Sequence, residues 1–318
     1  MRSMFWRVWL AVVVALAGCD ASLTGGGSNP PLCIFDSSQP CVEVGNLAGH
    51  VVAGETHSCA LASDGTAFCW GSNVTGESTP PPDTFVQLAA GSDETCGVRA
   101  DGTIACWGTG PYGQLSNDSP PDGTFLQVSV SRKVGEDQHA CALRTNGEIL
   151  CWQDCSEGQC QPPRGPFKQV VTGQGYTCGL RTGGSIACWG RNDDGQASPP
   201  AGNFVQLAAG DFHNCAVRID RTVACWGGDL GGETRPPAGS FIQVAAGAYM
   251  SVGLQADATL AEWGDGGGDI NIASPPAGTF QEVSAGAVHA CGLLTDGTIA
   301  CWGGDKEGQC DPPAAASP

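Results

Sequence analysis

Two cysteines ten positions apart, an Asp-Gly turn between them and Trp-Gly after the second make a unit that recurs along this chain. Cys291-Gly-Leu-Leu-Thr-Asp-Gly-Thr-Ile-Ala-Cys301-Trp302-Gly303 is its clearest copy. In the copy around Cys96 and Cys106, two short apolar segments flank a Gly-containing turn, the signature of a β-hairpin. A three-residue loop with Gly102 in the left-handed region sets Arg99 opposite Thr103. Counting outward, Val98 meets Ile104, Gly97 meets Ala105 and Cys96 meets Cys106. Directly opposed Cβ atoms lie about 4.5–5.5 Å apart, close to what a disulfide needs.

The spacing predicts cross-strand disulfides Cys59–Cys69, Cys96–Cys106, Cys141–Cys151, Cys178–Cys188, Cys215–Cys225 and Cys291–Cys301. In a further copy the two positions read Val252 and Glu262, so both cysteines are missing together. Metal ligands or catalytic thiols have no reason to vanish as pairs within one hairpin.

The repeat tryptophans, from Trp70 to Trp302, follow one another at intervals of 37 to 45 residues. A period near 40 suits a propeller blade. Each unit also carries a strand such as Phe204-Val-Gln-Leu-Ala-Ala-Gly210, and Pro-Pro pairs such as Pro199-Pro200 link one unit to the next. The fold class expected is all-β, a seven-bladed β-propeller of three-stranded units over residues 41–318. Gly97 and Ala105, with their counterparts, are expected to let neighbouring blades approach closely. Ala258 and Arg221 replace the turn glycine in two copies, which strains that site or changes the turn.

Before the repeats, residues 1–18 read as an export signal, with Arg2 and Arg7 ahead of an apolar run too short to span a bilayer once processed. Leu16-Ala-Gly-Cys19 resembles the bacterial lipobox, which makes Cys19 the lipidated first residue of the mature protein. A plain signal peptide cut near Ala17 and an uncleaved anchor are the alternatives. Asp20 resembles the inner-membrane retention signal of enteric lipoproteins. Residues 19–40, rich in Gly, Ser, Asn and Pro, read as a flexible tether. Export explains 18 cysteines as a disulfide framework. The chain is then expected in the bacterial cell envelope, on the periplasmic side or at the cell surface, and tied to the membrane through the lipid alone.

The repeated pattern Gly-x-x-His-x-Cys-Ala/Gly-Leu-x-x-Asp-Gly-Thr-Ile-Ala-Cys-Trp-Gly, ending in Gly-Gln as at Gly195-Gln196, resembles the regulator of chromosome condensation repeat family. It is similar to the short bacterial variants, including the β-lactamase-inhibitory propeller. The resemblance covers residues 43–313 and implies a seven-bladed propeller. One eukaryotic member is a chromatin-bound guanine-nucleotide exchange factor, but neither activity carries over. The formal charge is −18, and removing the signal takes away two cations more, so phosphate backbones are repelled. No interval holds an insertion long enough for the exchange factor's wedge.

His57, His139, His213 and His289 each precede a hairpin cysteine by two residues. Rotational symmetry spreads them over separate blades, so they read as structural hydrogen-bonding groups. Gln114, Gln159, Gln196 and Gln309, with Glu77 and Glu233 in the same slot, read as loop braces. Asp265, Asp269 and Asn271 do not match an EF-hand loop. No catalytic, cofactor-binding or metal-binding residue is assigned. The function expected is a protein-binding or scaffolding module. An envelope lyase or hydrolase at the propeller mouth, or an inhibitor of an exported enzyme, are the alternatives. The loops after Ala-Gly and after Trp-Gly emerge at one end and carry Tyr112, Phe212 and Tyr249, the expected anchors for a protein partner.

Cysteine arithmetic supplies two further pairings. Cys155 and Cys160 are close enough to pair locally. Cys41 and Cys310 reach one loop position from opposite ends of the repeat frame, which predicts a Cys41–Cys310 clasp with Cys33 left over; a local Cys33–Cys41 bridge is the alternative.

Overall fold

The computed structural model describes residues 51–108, 119–132, 138–264 and 274–313, and a short antiparallel ladder of Leu32–Cys33 with Glu43–Val44. That ladder belongs to a first unit, Met1–Asn46; a second unit spans Leu47–Pro318. The leader, Cys19 and Cys41 lie outside the described residues. Among the described residues no helix is long and apolar enough to cross a membrane.

The second unit holds seven three-stranded antiparallel sheets, each from one consecutive stretch of chain. Blade 1 is Val51–Ala53, His57–Leu61 and Ala67–Gly71, and blade 2 is Phe85–Ala90, Thr95–Arg99 and Ile104–Trp107. Blade 3 is Phe125–Val130, His139–Arg144 and Ile149–Gln153; blade 4 is Phe167–Gly173, Tyr176–Arg181 and Ile186–Gly190. Blade 5 is Phe204–Ala209, His213–Arg218 and Val223–Gly227; blade 6 is Phe241–Ala246, Ser251–Gln255 and Leu260–Trp263. Blade 7 is Phe280–Ala285, His289–Leu294 and Ile299–Gly303.

The hairpin register is the expected one, with Cys96 opposite Cys106 and Val98 opposite Ile104. All six hairpin disulfides form, at Cα–Cα separations of 4.0–4.1 Å, and Cys155–Cys160 makes a seventh at 5.2 Å. Gly102 takes φ +85° as the loop requires. Arg221 and Ala258 keep the same turn at φ +68°, a left-handed conformation that disfavours any residue with a Cβ.

Blade-to-blade packing is apolar, and in blades 2 to 7 its anchors are the Phe that opens the inner strand and the Trp of the outer one: Phe85 and Trp107 of blade 2 cluster with Leu61 and Ala67 of blade 1. Phe85 meets Trp107 at 5.3 Å between ring centroids, and Phe241 meets Trp263 edge-on at 6.1 Å. The small residue of the middle strand lies at the junction between blades, as expected: Ala142 of blade 3 clusters with Cys96 and Val98 of blade 2, and Ala216 of blade 5 with Leu180 of blade 4. A Cβ on Gly97 would stand 2.4 Å from the Phe85 ring, and one on Gly179 would stand 2.5 Å from Phe167. At that junction the missing side chain also makes room for the aromatic of its own blade, and on Gly179 a Cβ would stand 3.2 Å from Ile149 of blade 3.

Hydrogen bonds across the junction between blades 7 and 1 close the ring. Ala53 N donates to Ser284 Oγ (3.0 Å), Ala287 N to Gly54 O (3.1 Å) and Trp70 Nε1 to Gln309 O (2.9 Å). Cys310 carries a free thiol; Cys41, the partner expected for it, lies outside the described residues. Asp305 stands where blade 3's loop has Cys155, so this loop offers Cys310 no local partner. Burial, with Asp305 and Asp311 adding to it, pushes the thiol up to about 12, and its Sγ donates to Gly304 O at 3.4 Å.

Candidate partner-binding face

Each inner strand runs toward the Ala-Gly loop, the middle strand returns, and the outer strand runs forward to Trp-Gly. The two variable loops of every blade therefore share one end, called here the loop end; the Asp-Gly turns lie at the other, the turn end.

A relay of buried side chains supports the loop end. His57 Nε2 meets Thr95 Oγ1 of the next blade at 2.8 Å, and His139 meets Thr177 in the same way. His213 meets Ser251, and His289 meets Ser58 across the ring junction, again at 2.8 Å. The hydroxyls donate onward to the carbonyls of the brace residues: Thr95 to Glu77 O, Thr177 to Gln159 O, Ser251 to Glu233 O and Ser58 to Gln309 O. Four histidines on four blades thus each find a partner on the next blade. Burial pushes His57 and His139 down to about 4, and His213 and His289 down to about 3, so they are neutral at pH 7.

Where the histidine is replaced, its partner changes too. Met250 is followed by Ala290 in the next blade, an apolar pair. Tyr176, in the same slot, donates its hydroxyl to His213 O at 2.8 Å. Glu94 is followed by Ala140, and its buried carboxylate accepts instead from Gln138 (3.1 Å) and Gln153 (2.8 Å). Gln153 holds φ +74° where other copies have glycine, so the carboxylate is clamped by a strained residue. Glu94 also lies beside Cys96 and Cys106, but a disulfide joins these two, so their sulfurs are not available as thiolate ligands.

The brace residues do more than close the loops. Gln159, Gln196 and Gln309 each accept one backbone N–H of their own loop through Oε1. Glu77 accepts from the N–H groups of Val74 (3.2 Å) and Thr75 (2.8 Å); Glu233 accepts from Leu230 (3.0 Å) and Gly231 (2.6 Å). Burial raises the Glu77 pKa, but hydrogen bonds from Ser72, Thr75 and backbone amides outweigh it and hold the group at about 2. Both glutamate loops present an aliphatic tip: Val74 is 88% exposed and Leu230 is 84% exposed, the two most exposed large apolar residues among those described. Sequence reading missed both tips. Their signal was the brace slot, where Glu replaces Gln and an aliphatic residue stands three positions before it.

Of the three expected anchors, Tyr112 lies outside the described residues, as do Gln114, Asp265, Asp269 and Asn271. Phe212 and Tyr249 occupy matching, half-buried positions on blades 5 and 6. Leu230 rides on the loop at the boundary of those two blades, because Trp263 and Ser251 of blade 6 both donate to Glu233 O. Val288 holds the same half-buried position on blade 7, so the apolar row continues there.

The inner strands surround a channel of about 210 Å³. Its wall is stitched by glutamines that sequence reading took only as part of a strand. Gln206 Nε2 donates to Val244 O and its Oε1 accepts from Val244 N, both at 2.9 Å. Gln87 does the same to Val128, Gln169 to Leu207 and Gln243 to Val283. Each side-chain amide acts as an extra peptide group, pairing one blade with the next.

Arg132 plugs the loop end of this channel. Its Nη1 donates to Ala285 O (2.9 Å), its Nη2 to Ala246 O (2.8 Å) and Ala209 O (3.3 Å), and its Nε to Asp211 (3.2 Å). One guanidinium therefore gathers the ends of the inner strands of blades 5, 6 and 7. Burial raises the Asp211 pKa while Arg132 lowers it, and the balance is upward.

Seven three-stranded sheets closed into a ring around a plugged channel define a seven-bladed β-propeller. A model of the regulator of chromosome condensation repeat matches residues 50–77, 85–114, 167–196, 204–232 and 280–309. Five of the seven blades are thus regulator of chromosome condensation repeats. Four of the matched segments end on a brace residue; blade 3, with Gln153, and blade 6, without cysteines, fall outside them. Among solved structures, the receptor kinase CR4 ectodomain of Physcomitrella patens is similar at TM-score 0.65 and 23% identity, covering 80% of this chain and 73% of that one. The CRINKLY WD40 ectodomain of Arabidopsis thaliana ACR4 gives 0.64 and 24%, covering 80% and 96%. Prp20p of Saccharomyces cerevisiae, which binds Gsp1p and histones, gives 0.61 and 17%, covering 80% and 81%. No curated protein matches the chain.

Proposed function

We propose that this chain is an exported, lipid-anchored protein-binding or scaffolding module that engages its partner with the loop end of blades 5 and 6. The observation that carries this reading is the grouping of Phe212, Leu230 and Tyr249 at one blade boundary, with Leu230 held out on a loop organised by Glu233. An aliphatic tip and two aromatics on rigid supports offer apolar area with little conformational entropy left to lose on binding. Seven disulfides fit an oxidising compartment, in keeping with the export reading. An enzyme at this mouth of the channel is disfavoured, because Arg132 already spends its donors on backbone carbonyls and Asp211.

Replacing Phe212 and Tyr249 by Ala together with Leu230→Asp is expected to abolish capture of a specific envelope protein by the tagged wild type. Unchanged capture by the folded triple variant refutes the reading. The anchor has its own test: Cys19→Ala should move the protein out of the detergent phase, and equal partitioning of variant and wild type would refute lipidation.

A further inference from the structure

The turn end of the channel carries a feature that neither the repeat nor the loop-end reading uses. In six blades the inner strand bulges one residue after its opening Phe: Phe85 pairs with Arg99 and Gln87 with Val98, which leaves Val86 unpaired. The same register shift expels Leu126, Lys168, Val205, Ile242 and Gln281 from their ladders. A bulge re-aims a side chain at the edge of a sheet. Here it sets a ring of residues at the channel rim, where Leu126 is 59%, Val86 48% and Ile242 38% exposed.

One sector of that rim is basic. Blade 4 contributes Lys168, Arg164 and Arg181, and its turn reads Thr182-Gly183-Gly184 where five other blades have an Asp. No carboxylate pairs with any of the three among the described residues: Arg181 stacks on Phe167 at 4.8 Å and donates to Arg164 O. In a chain of formal charge −18, this is a local excess of positive charge. Lys168 stands between two apolar rim residues, Leu126 of blade 3, which is exposed, and Val205 of blade 5, which is half-buried with one side packed against Val217, Phe241 and Trp263. Burial lowers its pKa, which raises the gain from a matching anion.

We infer that the turn-end rim at Lys168 is a second docking site, for an extended segment of a protein partner in which a carboxylate side chain lies between apolar ones. Lys168 takes the carboxylate, with Arg164 and Arg181 adding to the field, while Leu126 and Val205 receive the flanking side chains. A nucleic acid or a bare anion would use the charge but leave the aliphatic rim residues without a partner.

The test is fluorescence anisotropy with labelled Gly/Ser dodecapeptides bearing a central Leu-Glu-Leu, Leu-Lys-Leu or Ser-Glu-Ser. Wild type should prefer Leu-Glu-Leu over both others. Lys168→Glu should weaken that binding by about tenfold or more and gain the Leu-Lys-Leu peptide. Lys168→Gln, which preserves the stem, should lose affinity without gaining the lysine peptide, and Leu126→Ser should weaken Leu-Glu-Leu. Near-UV circular dichroism verifies that each variant keeps its fold. The inference is overturned if wild type does not discriminate among the peptides up to millimolar concentration. It is also overturned if folded Lys168→Glu binds as wild type does, or if a single-stranded oligonucleotide competes equally well.

Discussion

Reduction of the hairpin disulfides is expected to unfold the propeller at room temperature. Each bond closes a loop of about ten residues and contributes about 2–3 kcal/mol in the chain-entropy model. Six of them together match or exceed the roughly 5–15 kcal/mol that stabilises a typical domain. Circular dichroism with and without reductant checks this; a reduced chain that retains a cooperative thermal transition near that of the oxidised one would show that packing suffices. Blade 6 supplies the reverse experiment. Its Val252 and Glu262 stand opposite each other in the same register as the cysteine pairs, and burial raises Glu262 to about 7. Val252→Cys combined with Glu262→Cys should add a disulfide and stabilise the protein by about 2–3 kcal/mol, read as a shift in the urea midpoint. In the native chain, amide exchange at 251–263 should be faster than in the equivalent hairpins.

Acid should destabilise the protein well before its surface carboxylates titrate. The four relay histidines have folded pKa values of about 3–4 against 6.5 when unfolded. Below pH 6.5 the unfolded chain takes up protons that the folded chain refuses, so stability falls as pH falls, down to the folded values. Each histidine contributes about 1.4 kcal/mol per pH unit in that window, and four acting together give a slope of about 5 kcal/mol per unit. Glu262 works in the opposite sense between about pH 7 and its ordinary range near 4.5, and Asp93 and Asp211, also raised by burial, act in the same direction; together they reduce the slope of the four histidines without reversing it. Urea midpoints measured from pH 7 to 4.5 should fall steeply; a flat profile would mean that the histidines are hydrated or already charged in the folded protein. His213→Gln should remove about a quarter of the slope.

The hairpin was legible from one copy, because a ten-residue cysteine spacing and an Asp-Gly turn fix register with no reference to the rest of the chain. The blade count followed from the tryptophan intervals, and the shared loop end from counting strands. The contacts between blades were not legible in the same way. Gln206 sits in a strand where its amide pairs with backbone nearly forty residues on, and a polar residue in such a place reads only as a solvent-facing strand position. Arg132 sits where blade 3 departs from the repeat, with Ser131 in place of Gly and five extra residues before His139, but nothing local says that three other blades' carbonyls converge on it. The histidine relay lay within reach: every His in that slot is followed, one unit on, by Ser or Thr. The Phe ring that the small middle-strand residue also accommodates was not legible, because periodicity gives spacing between copies and not the direction of a ring. Cys310 was paired with Cys41 from the repeat frame, and among the described residues its thiol meets Gly304 O.

The junction between blades 7 and 1 uses hydrogen bonds that recur at other junctions: His289 to Ser58 repeats His57 to Thr95, and Trp70 to Gln309 O repeats Trp226 to Gln196 O. The covalent chain has a first and a last blade, but the bonding pattern has neither. A chain permuted to start at any Pro-Pro link would meet the same set of neighbours, so the order of blades in the gene is free to drift while the ring is preserved. Partner-contacting loops are correspondingly modular, since moving one around the circle changes where it points and not what holds it.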